Sequence, residues 1–262
     1  METYKGKTIL ITGASSGIGE CFAYNLNKMG AKLILTARSE DKLLHIASNM
    51  NDAHVFVGDL SEEKFAKDLY DKIKNENLVV DILINNAGFG YSGKFLDTSM
   101  DNYKEMINLN ICSLVHLTHL FLQDMVENNR GGIINVSSLA SFQPIPYFSI
   151  YAATKAFVTS FTLSLYEEYR EKNICILGVC PGYTKTNFNK RAHMSSKPVA
   201  GYLMSSQEVV DQTLKAYKRG NFLIINGKIN RFVKLFTSLI PKRWSLKMAS
   251  SIIKKGMDNQ QW

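Results

Sequence analysis

The feature that most constrains this chain is an alternation, sustained from the first residues to Ile225, of short uninterrupted apolar runs with longer runs of helical period. The apolar runs are Lys7 to Ile11, Lys32 to Thr36, His54 to Val57, Asp81 to Ile84, Gly132 to Val136, Ile174 to Val179 and Phe222 to Ile225. A strand with one wet face alternates apolar and polar side chains. A run that does not alternate is buried on both faces, and helices must cover it above and below. The helical runs fall between the strands, at Gly17 to Met29, Glu40 to Met50, Ser61 to Glu76, Ser99 to Asn128, Tyr151 to Lys172 and Ser205 to Lys218. Ser39, Asp59 or Ser61, and Thr98 or Ser99 stand where N-caps are expected. The predicted fold is α/β: a doubly wound parallel sheet of seven strands. No repeat, low-complexity stretch or linker divides the chain, so one domain is expected.

Charge narrows the function classes. The 262 residues carry a formal +8 with 45% hydrophobic residues, a balance that excludes a disordered chain. From Thr213 onward eleven basic residues face one acid, Asp258, a local +10; the other 212 residues hold 20 basic and 22 acidic side chains, a net −2. The basic excess is therefore a property of the C-terminal segment, and no nucleic-acid reader motif accompanies it. Four cysteines, at 21, 112, 175 and 180, form no C-x-x-C pair. Reduced thiols in a cytoplasmic setting are expected, with Cys175 and Cys180 acting as small apolar residues of a buried strand. No apolar stretch reaches the ~18 residues of a membrane span, and no signal-peptide layout opens the chain.

The first strand runs into Thr12-Gly13-Ala14-Ser15-Ser16-Gly17-Ile18-Gly19 and then into a helix. Glycines there allow a tight turn and close approach of a pyrophosphate to the free N–H groups of the helix start. At the end of the second strand, where an acid would bind a ribose 2′-hydroxyl, stands Arg38. Its guanidinium suits a 2′-phosphate, which favours NADP(H) over NAD(H). The bland alternative is a solvated strand-end arginine. Asp59 can accept from an adenine amino group, cap the following helix, or do both.

Ser138, Tyr151 and Lys155 form a candidate catalytic trio. The Tyr-x-x-x-Lys spacing stacks phenol and ammonium on one side of a helix, and a nearby cation lowers a phenol pKa that is ordinarily about 10. Ser138 stands thirteen residues before Tyr151, at a strand's C-terminal end, where open α/β sheets gather ligands. Its hydroxyl can hold a carbonyl oxygen while Tyr151 delivers the proton. Taken singly, these residues are more often packing, solvation and capping groups; Ser137 is a rival to Ser138. His116 and His119 lie three apart but have no cysteine or carboxylate at ligand spacing, so no metal is expected.

With these motifs in order, and Asn85-Asn86-Ala87-Gly88, Asn110 and Pro181-Gly182 beside them, the chain from about Lys5 to Val210 resembles the short-chain dehydrogenase/reductase family. The resemblance implies a Rossmann-type fold and hydride transfer between a nicotinamide and a carbonyl or alcohol group. It implies Tyr151 as acid or base, Ser138 as carbonyl orienter, and Lys155 as the group that tunes Tyr151 and holds the nicotinamide ribose. Asn110 would hold a relay water near Lys155. The implied cofactor residues are Gly13, Ser15, Ser16, Gly17, Ile18, Gly19, Arg38, Asp59, Leu60, Asn86, Ala87, Gly88, Tyr151, Lys155, Pro181, Gly182, Thr184 and Thr186. It also implies a homodimer or homotetramer built through the helices from Ser99 and Tyr151. The chain departs from the pattern at Ser113, where many members have glycine, and in lacking a basic residue within the glycine turn.

Phe89, Tyr91, Phe142, Ile145, Tyr147, Phe148, Phe188, Tyr202 and Met204 are expected around the reactive centre, which suits an apolar carbonyl compound. Lys185, Lys190 and Arg191 leave room for an acidic end. Residues 1–227 are expected to form the dinucleotide-binding and catalytic part, and 228–262 a basic amphipathic helical extension of the same domain. In that extension Ile229, Phe232, Val233, Phe236, Leu239 and Ile240 recur at helical spacing until Pro241, and Trp244, Met248 and Ile252 continue the pattern. Two uses stay open: packing that closes the substrate pocket, which is favoured, and peripheral contact with an anionic membrane. The expected function is that of an NADP(H)-dependent oxidoreductase on an apolar substrate. The alternative is a nucleotide-sensing or membrane-tethered binder with little turnover.

Overall fold

The computed structural model describes residues 3–188, 192 and 203–258, with side chains as far as Lys254. Lys190, Arg191 and Tyr202 lie outside the described residues. Seven parallel strands make one sheet: β1 (Thr8–Thr12), β2 (Lys32–Ala37), β3 (Ala53–Val57), β4 (Ile82–Asn85), β5 (Gly131–Val136), β6 (Ile174–Cys180) and β7 (Leu223–Ile225). Their order is β3-β2-β1-β4-β5-β6-β7. The chain winds outward from β1 to β3, then returns to the other side of β1 to begin β4. The chain after β1 and the chain after β4 therefore lead to helices on opposite faces, Gly17–Lys28 and Ser113–Glu127, and a crevice opens at the strands' C-terminal ends at this switch point.

Nine α-helices accompany the sheet among the described residues: α1 (Gly17–Lys28), α2 (Glu40–Ala47), α3 (Phe65–Asn75), α4 (Met100–Ile107), α5 (Ser113–Glu127), α6 (Ser149–Glu168), α7 (Ser206–Lys218), α8 (Lys228–Leu239) and α9 (Lys242–Asp258). Adjacent strand residues feed opposite layers, as the two-residue period of a strand requires. Ile9, Ile11, Leu33 and Leu35 pack with Phe22 and Leu26 of α1 and Val210 and Leu214 of α7. Leu10, Ile34, Leu83 and Ile133 pack with Leu69 and Ile73 of α3 and Leu117 and Phe121 of α5. Each such side chain, fully buried, contributes roughly 1.5–3 kcal/mol, so neither layer is dispensable.

Three expected boundaries move. The single long helix from Ser99 to Asn128 is instead α4, a π-helical turn at Asn108–Cys112, and α5. Ser99 does cap it, accepting from the Asn102 N–H at 3.2 Å. The helix expected from Ser61 begins at Phe65. Asp59 does not cap it: its carboxylate accepts from the N–H and hydroxyl of Ser61, at 2.9 and 2.7 Å, and closes a local turn that delays the helix. The helix of Tyr151 starts two residues early, at Ser149. Pro241 separates α8 from α9 as its missing N–H demands.

Candidate active site

The crevice at the switch point is a cavity of about 840 Å³, bent between a polar end and an apolar one. The polar end is built by backbone. Thr12 Oγ1 accepts from the N–H groups of Asn86 and Ala87, at 3.0 and 2.9 Å, and the Asn86 amide donates to the carbonyls of Thr12 and Gly13. These bonds stitch the turn after β1 to the turn after β4. A Cβ on Gly19 would lie 2.3 Å from the Gly13 carbonyl oxygen, and one on Gly13 2.9 Å from Ala87 Cα. The turns approach so closely that only glycine fits. Gly13, Ser15, Ser16, Gly17 and Ile18 line the cavity with Asn86, Ala87 and Gly88. A start of α1 with no side-chain cap faces it, a cradle of the kind that suits a pyrophosphate.

Arg38, Asp59 and Leu60 line the far end, where Arg38 Nη1 donates to Asp59 at 3.1 Å and to Glu105 at 3.3 Å. Burial pushes the Asp59 carboxyl up, but hydrogen bonds from Ser61 and Arg38 outweigh it and leave the group below its usual range. Arg38 is thus a half-exposed cation shared between two carboxylates. Lys42, on the first turn of α2, lines the same end. It went unnoticed in the sequence because a helix lysine four residues from the strand carries no signal of its own.

At the bend, Tyr151 projects from α6 between the rings of Phe148, centroids 4.3 Å apart, and Phe188, 5.3 Å. Burial pushes its phenol up to about 12, and a hydrogen bond with Ser138 pulls the other way. Ser138 Oγ also accepts from the Ala140 N–H at 3.1 Å. Its rival Ser137 is buried against α6, where its hydroxyl donates to the Lys155 carbonyl at 2.8 Å. Lys155 is buried too. Its Nζ donates to the Val136 carbonyl at 2.9 Å and stands 5.9 Å from the Tyr151 ring centre, and desolvation pushes its ammonium down to about 8. The expected lowering of the phenol by this cation is absent here, because burial weighs on both groups.

Asn110 sits in the π-helical turn, fully buried. Its amide donates to the Phe89 carbonyl and to Thr154, at 2.9 and 3.0 Å, and its oxygen accepts from the Phe89 N–H at 3.1 Å. A Cβ on Gly88 would lie 3.0 Å from Asn110 Oδ1 and 3.3 Å from Lys155 Nζ, so the two side chains flank Gly88. Below them Asn85 donates to Asn135 and Thr118, and Asn135 to Thr162, at 2.9–3.0 Å. This buried ladder ties β4 and β5 to α5 and α6. Ser113, the departure from the family pattern, donates to the Leu60 carbonyl and so serves packing beside the crevice.

Pro181, Gly182, Thr184 and Thr186 complete the bend, Thr186 against Gly17. Phe89, Ile145, Phe148 and Phe188 line the apolar end as expected, whereas Tyr91, Phe142, Tyr147, Lys185 and Met204 are not on its wall. The rest of that wall comes from the two C-terminal helices: Asn230, Val233, Phe236 and Thr237 of α8, and Ser245, Met248, Ala249, Ile252 and Ile253 of α9. Ser245 donates to Gln143 at 3.2 Å and Lys254 lies over the Tyr147 ring at 5.2 Å, fastening α9 to the loop before Tyr151. The packing expected to close the pocket is found here; which residues of the two helices face it follows only from the fold.

A short chain dehydrogenase model matches residues 7–196. The human very-long-chain 3-oxoacyl-CoA reductase is 39% identical over 192 residues, 71% of this chain and 62% of that protein, so the chain spans less than two thirds of this relative's length. A short-chain dehydrogenase from Sphingobium yanoikuyae, solved in complex with NADPH, superposes with a TM-score of 0.80 at 29% identity, covering 90% of this chain and 97% of that one. The bulky-bulky ketone specific alcohol dehydrogenase from Comamonas testosteroni gives 0.74 at 26% identity, covering 90% and 95%. Sheet order, glycine turn and the Ser138, Tyr151 and Lys155 cluster agree with that match over most of the chain: the protein belongs to the short-chain dehydrogenase family.

Proposed function

We propose that the protein is an NADP(H)-dependent oxidoreductase acting on a carbonyl or alcohol group of an apolar substrate, with Tyr151 as acid or base. The observation that carries this reading is the buried Tyr151 phenol, hydrogen-bonded to Ser138 at the bend between a polar cradle and an apolar chamber. When bound, the nicotinamide supplies or accepts the hydride. The glycine turn, Asp59, Leu60, the Asn86 to Gly88 turn, Lys155 and the residues from Pro181 to Thr186 would hold that cofactor. Arg38 and Lys42 would take its 2′-phosphate, a reading supported by the NADPH-bound relative.

The Ala140 N–H occupies a lone pair of Ser138 Oγ, and the hydroxyl hydrogen that now goes to Tyr151 would turn to a substrate oxygen once one is bound. Tyr151 Oη, held protonated at neutral pH by burial, donates its proton to the oxygen as negative charge develops there, which favours reduction. Lys155, lowered to about 8 by desolvation with its Nζ 5.9 Å from the Tyr151 ring centre, would restore that proton. The side chain of Asn110 is committed to Phe89 and Thr154, so its part in a water relay passes to the main chain of the π-helical turn. Phenyl and aliphatic walls suit a bulky or long apolar carbonyl compound, in keeping with the substrates named for the human and Comamonas relatives.

We read the chain as a homodimer or homotetramer contacting through α5 and α6, where the rings of Phe157 and Phe161 stack 5.8 Å apart on the outer side. We place it in the cytoplasm, with peripheral membrane contact through residues 228–262; all four cysteines are free thiols. Residues 1–227 are the catalytic body, and α8 and α9 of the 228–262 extension complete its pocket wall as far as Ile253.

The decisive measurement is NADPH oxidation across a panel of apolar ketones, aldehydes and 3-oxoacyl thioesters. Tyr151→Phe is expected to lower turnover about 10²- to 10⁴-fold with the fold intact; unchanged turnover overturns the assignment. Titration with both cofactors is expected to favour NADPH over NADH by roughly ten- to a hundredfold. Arg38→Leu should erase that preference, and equal affinities in the parent protein refute the phosphate-site reading.

A further inference from the structure

From residue 212 to residue 257 the sequence contains no Asp or Glu. Within this stretch α8 carries one apolar arc too wide for the cavity alone to cover. Its inner face, with Val233 and Thr237, lines the cavity. Its outer face presents Phe232 (68% exposed), Leu235 (54%) and Leu239 (75%) at helical spacing, and α9 adds Trp244 (68%). An amphipathic helix that only closed its own pocket would turn polar residues outward. Contiguous aromatic and aliphatic exposure on two neighbouring helices instead marks a contact surface.

Charge selects the occupant. Lys228, Lys242, Arg243 and Lys247 are exposed around the apolar stripe, and among the described residues none of them forms an ion pair. A second copy docking through this face would oppose cation to cation, since the two helices hold no carboxylate before Asp258 at the last position of α9, and lysine is depleted in such interfaces. An anionic bilayer supplies both complements: hydrocarbon beneath the headgroups for the stripe, and phosphate and serine headgroups for the rim. Twelve residues of α8 extend about 18 Å, short of a ~30 Å hydrocarbon core, so the helix lies in the plane of the interface.

We propose that the outer face of α8 and α9 docks on anionic lipid bilayers and holds the apolar mouth of the cavity against the membrane. Ile229, Phe236 and Met248 are both exposed and on the cavity wall, so stripe and chamber are one continuous surface. A substrate dissolved in the bilayer then reaches the chamber without crossing water. This delivery rests on the carbonyl-substrate reading above; docking does not.

The test uses the full chain carrying Trp262→Phe, which leaves Trp244 as its one fluorophore of that type. It is mixed with vesicles of phosphatidylcholine alone or with added phosphatidylserine. Expected are co-sedimentation with the serine-containing vesicles, a blue shift of Trp244 emission, and weakening with salt. Phe232→Ser with Leu239→Ser should weaken partitioning about tenfold or more, and Lys242→Glu with Arg243→Glu about tenfold, abolishing the preference for phosphatidylserine. Turnover on a water-soluble carbonyl should be unchanged in both double variants, because none of the four side chains lines the cavity; if no carbonyl is turned over at all, the oxidoreductase reading fails and docking stands or falls on sedimentation. The proposal is overturned if the parent chain does not sediment, or if it sediments equally after the Phe232 and Leu239 changes. Tighter binding to polyglutamate than to the vesicles, or a lipid-free dimer that those changes split, assigns the face to a protein partner instead.

Discussion

The two ends of the cavity are made by opposite means. At the polar end the shape is set by main chain: the turns after β1 and β4 approach until a Cβ on Gly13 would strike Ala87, and the β1 turn folds so tightly onto α1 that a Cβ on Gly19 would strike the Gly13 carbonyl oxygen. At the apolar end the wall is made of side chains from α8 and α9, which lie beyond the residues matched by the family model and leave much of their surface in solvent. Backbone crowding admits almost no variation, whereas a side-chain wall changes one residue at a time. One end is therefore suited to a cofactor shared by a whole family and the other to a substrate that differs among members.

Substitutions at the two ends test that contrast. Gly19→Ala is expected to have the larger effect, because the carbonyl it meets cannot move without pulling apart the two turns. A cost of about 1–3 kcal/mol in urea unfolding and a loss of more than about tenfold in NADPH affinity should follow. Val233→Ala removes apolar surface from a wall and nothing from the framework. It should raise KM for apolar carbonyl compounds about fivefold, leaving kcat and cofactor affinity in place. If Val233→Ala destabilised the protein as much as Gly19→Ala, the distinction between framework and wall would be wrong.

The smallest expected effect concerns the bend, where both ends meet buried titratable groups. Burial lowers Lys155 from 10.5 to about 8, so between those values the unfolded chain binds more protons than the folded one. Stability contributed by this group therefore rises as pH increases through that window. Tyr151 acts in reverse, keeping its proton when folded between pH 10 and about 12, so its contribution falls over that range. Urea midpoints measured from pH 7.5 to 9.5 should climb less steeply in Lys155→Met than in the parent. An identical slope would show that Lys155 is not desolvated as its position between Val136 and Tyr151 requires.

The strands were legible in the sequence to within a residue or two because strands buried on both faces are apolar almost throughout, the buried asparagines and threonines being exceptions that pair their polar atoms, and that constraint acts locally. The glycine turn, Ser138, Tyr151 and Lys155 were legible because each stands at a fixed distance from a strand end. Helix starts were less so. Asp59 had the right chemistry for a cap yet bonds Ser61 in a turn, and nothing in the run from Ser99 to Asn128 announces a π-helical turn. Asn230, Val233 and Lys42 went unread as pocket residues, since a helix periodicity tells which side is apolar but not what that side faces.

The sequence by itself therefore determined the sheet, the glycine turn and the neighbourhood of Ser138, Tyr151 and Lys155, because these depend on spacing along the chain and on residue type. It also carried the separation of a near-neutral body from a basic tail. Tertiary structure alone decided that Arg38 is shared between Asp59 and Glu105, and that burial rather than the lysine governs the Tyr151 phenol. It alone showed that the tail helices have a cavity on one side and solvent on the other. Charge pairing, desolvation and exposure depend on groups brought together from distant parts of the chain, 67 residues apart for Arg38 and Glu105 and 102 for Ser245 and Gln143, and no local pattern encodes them.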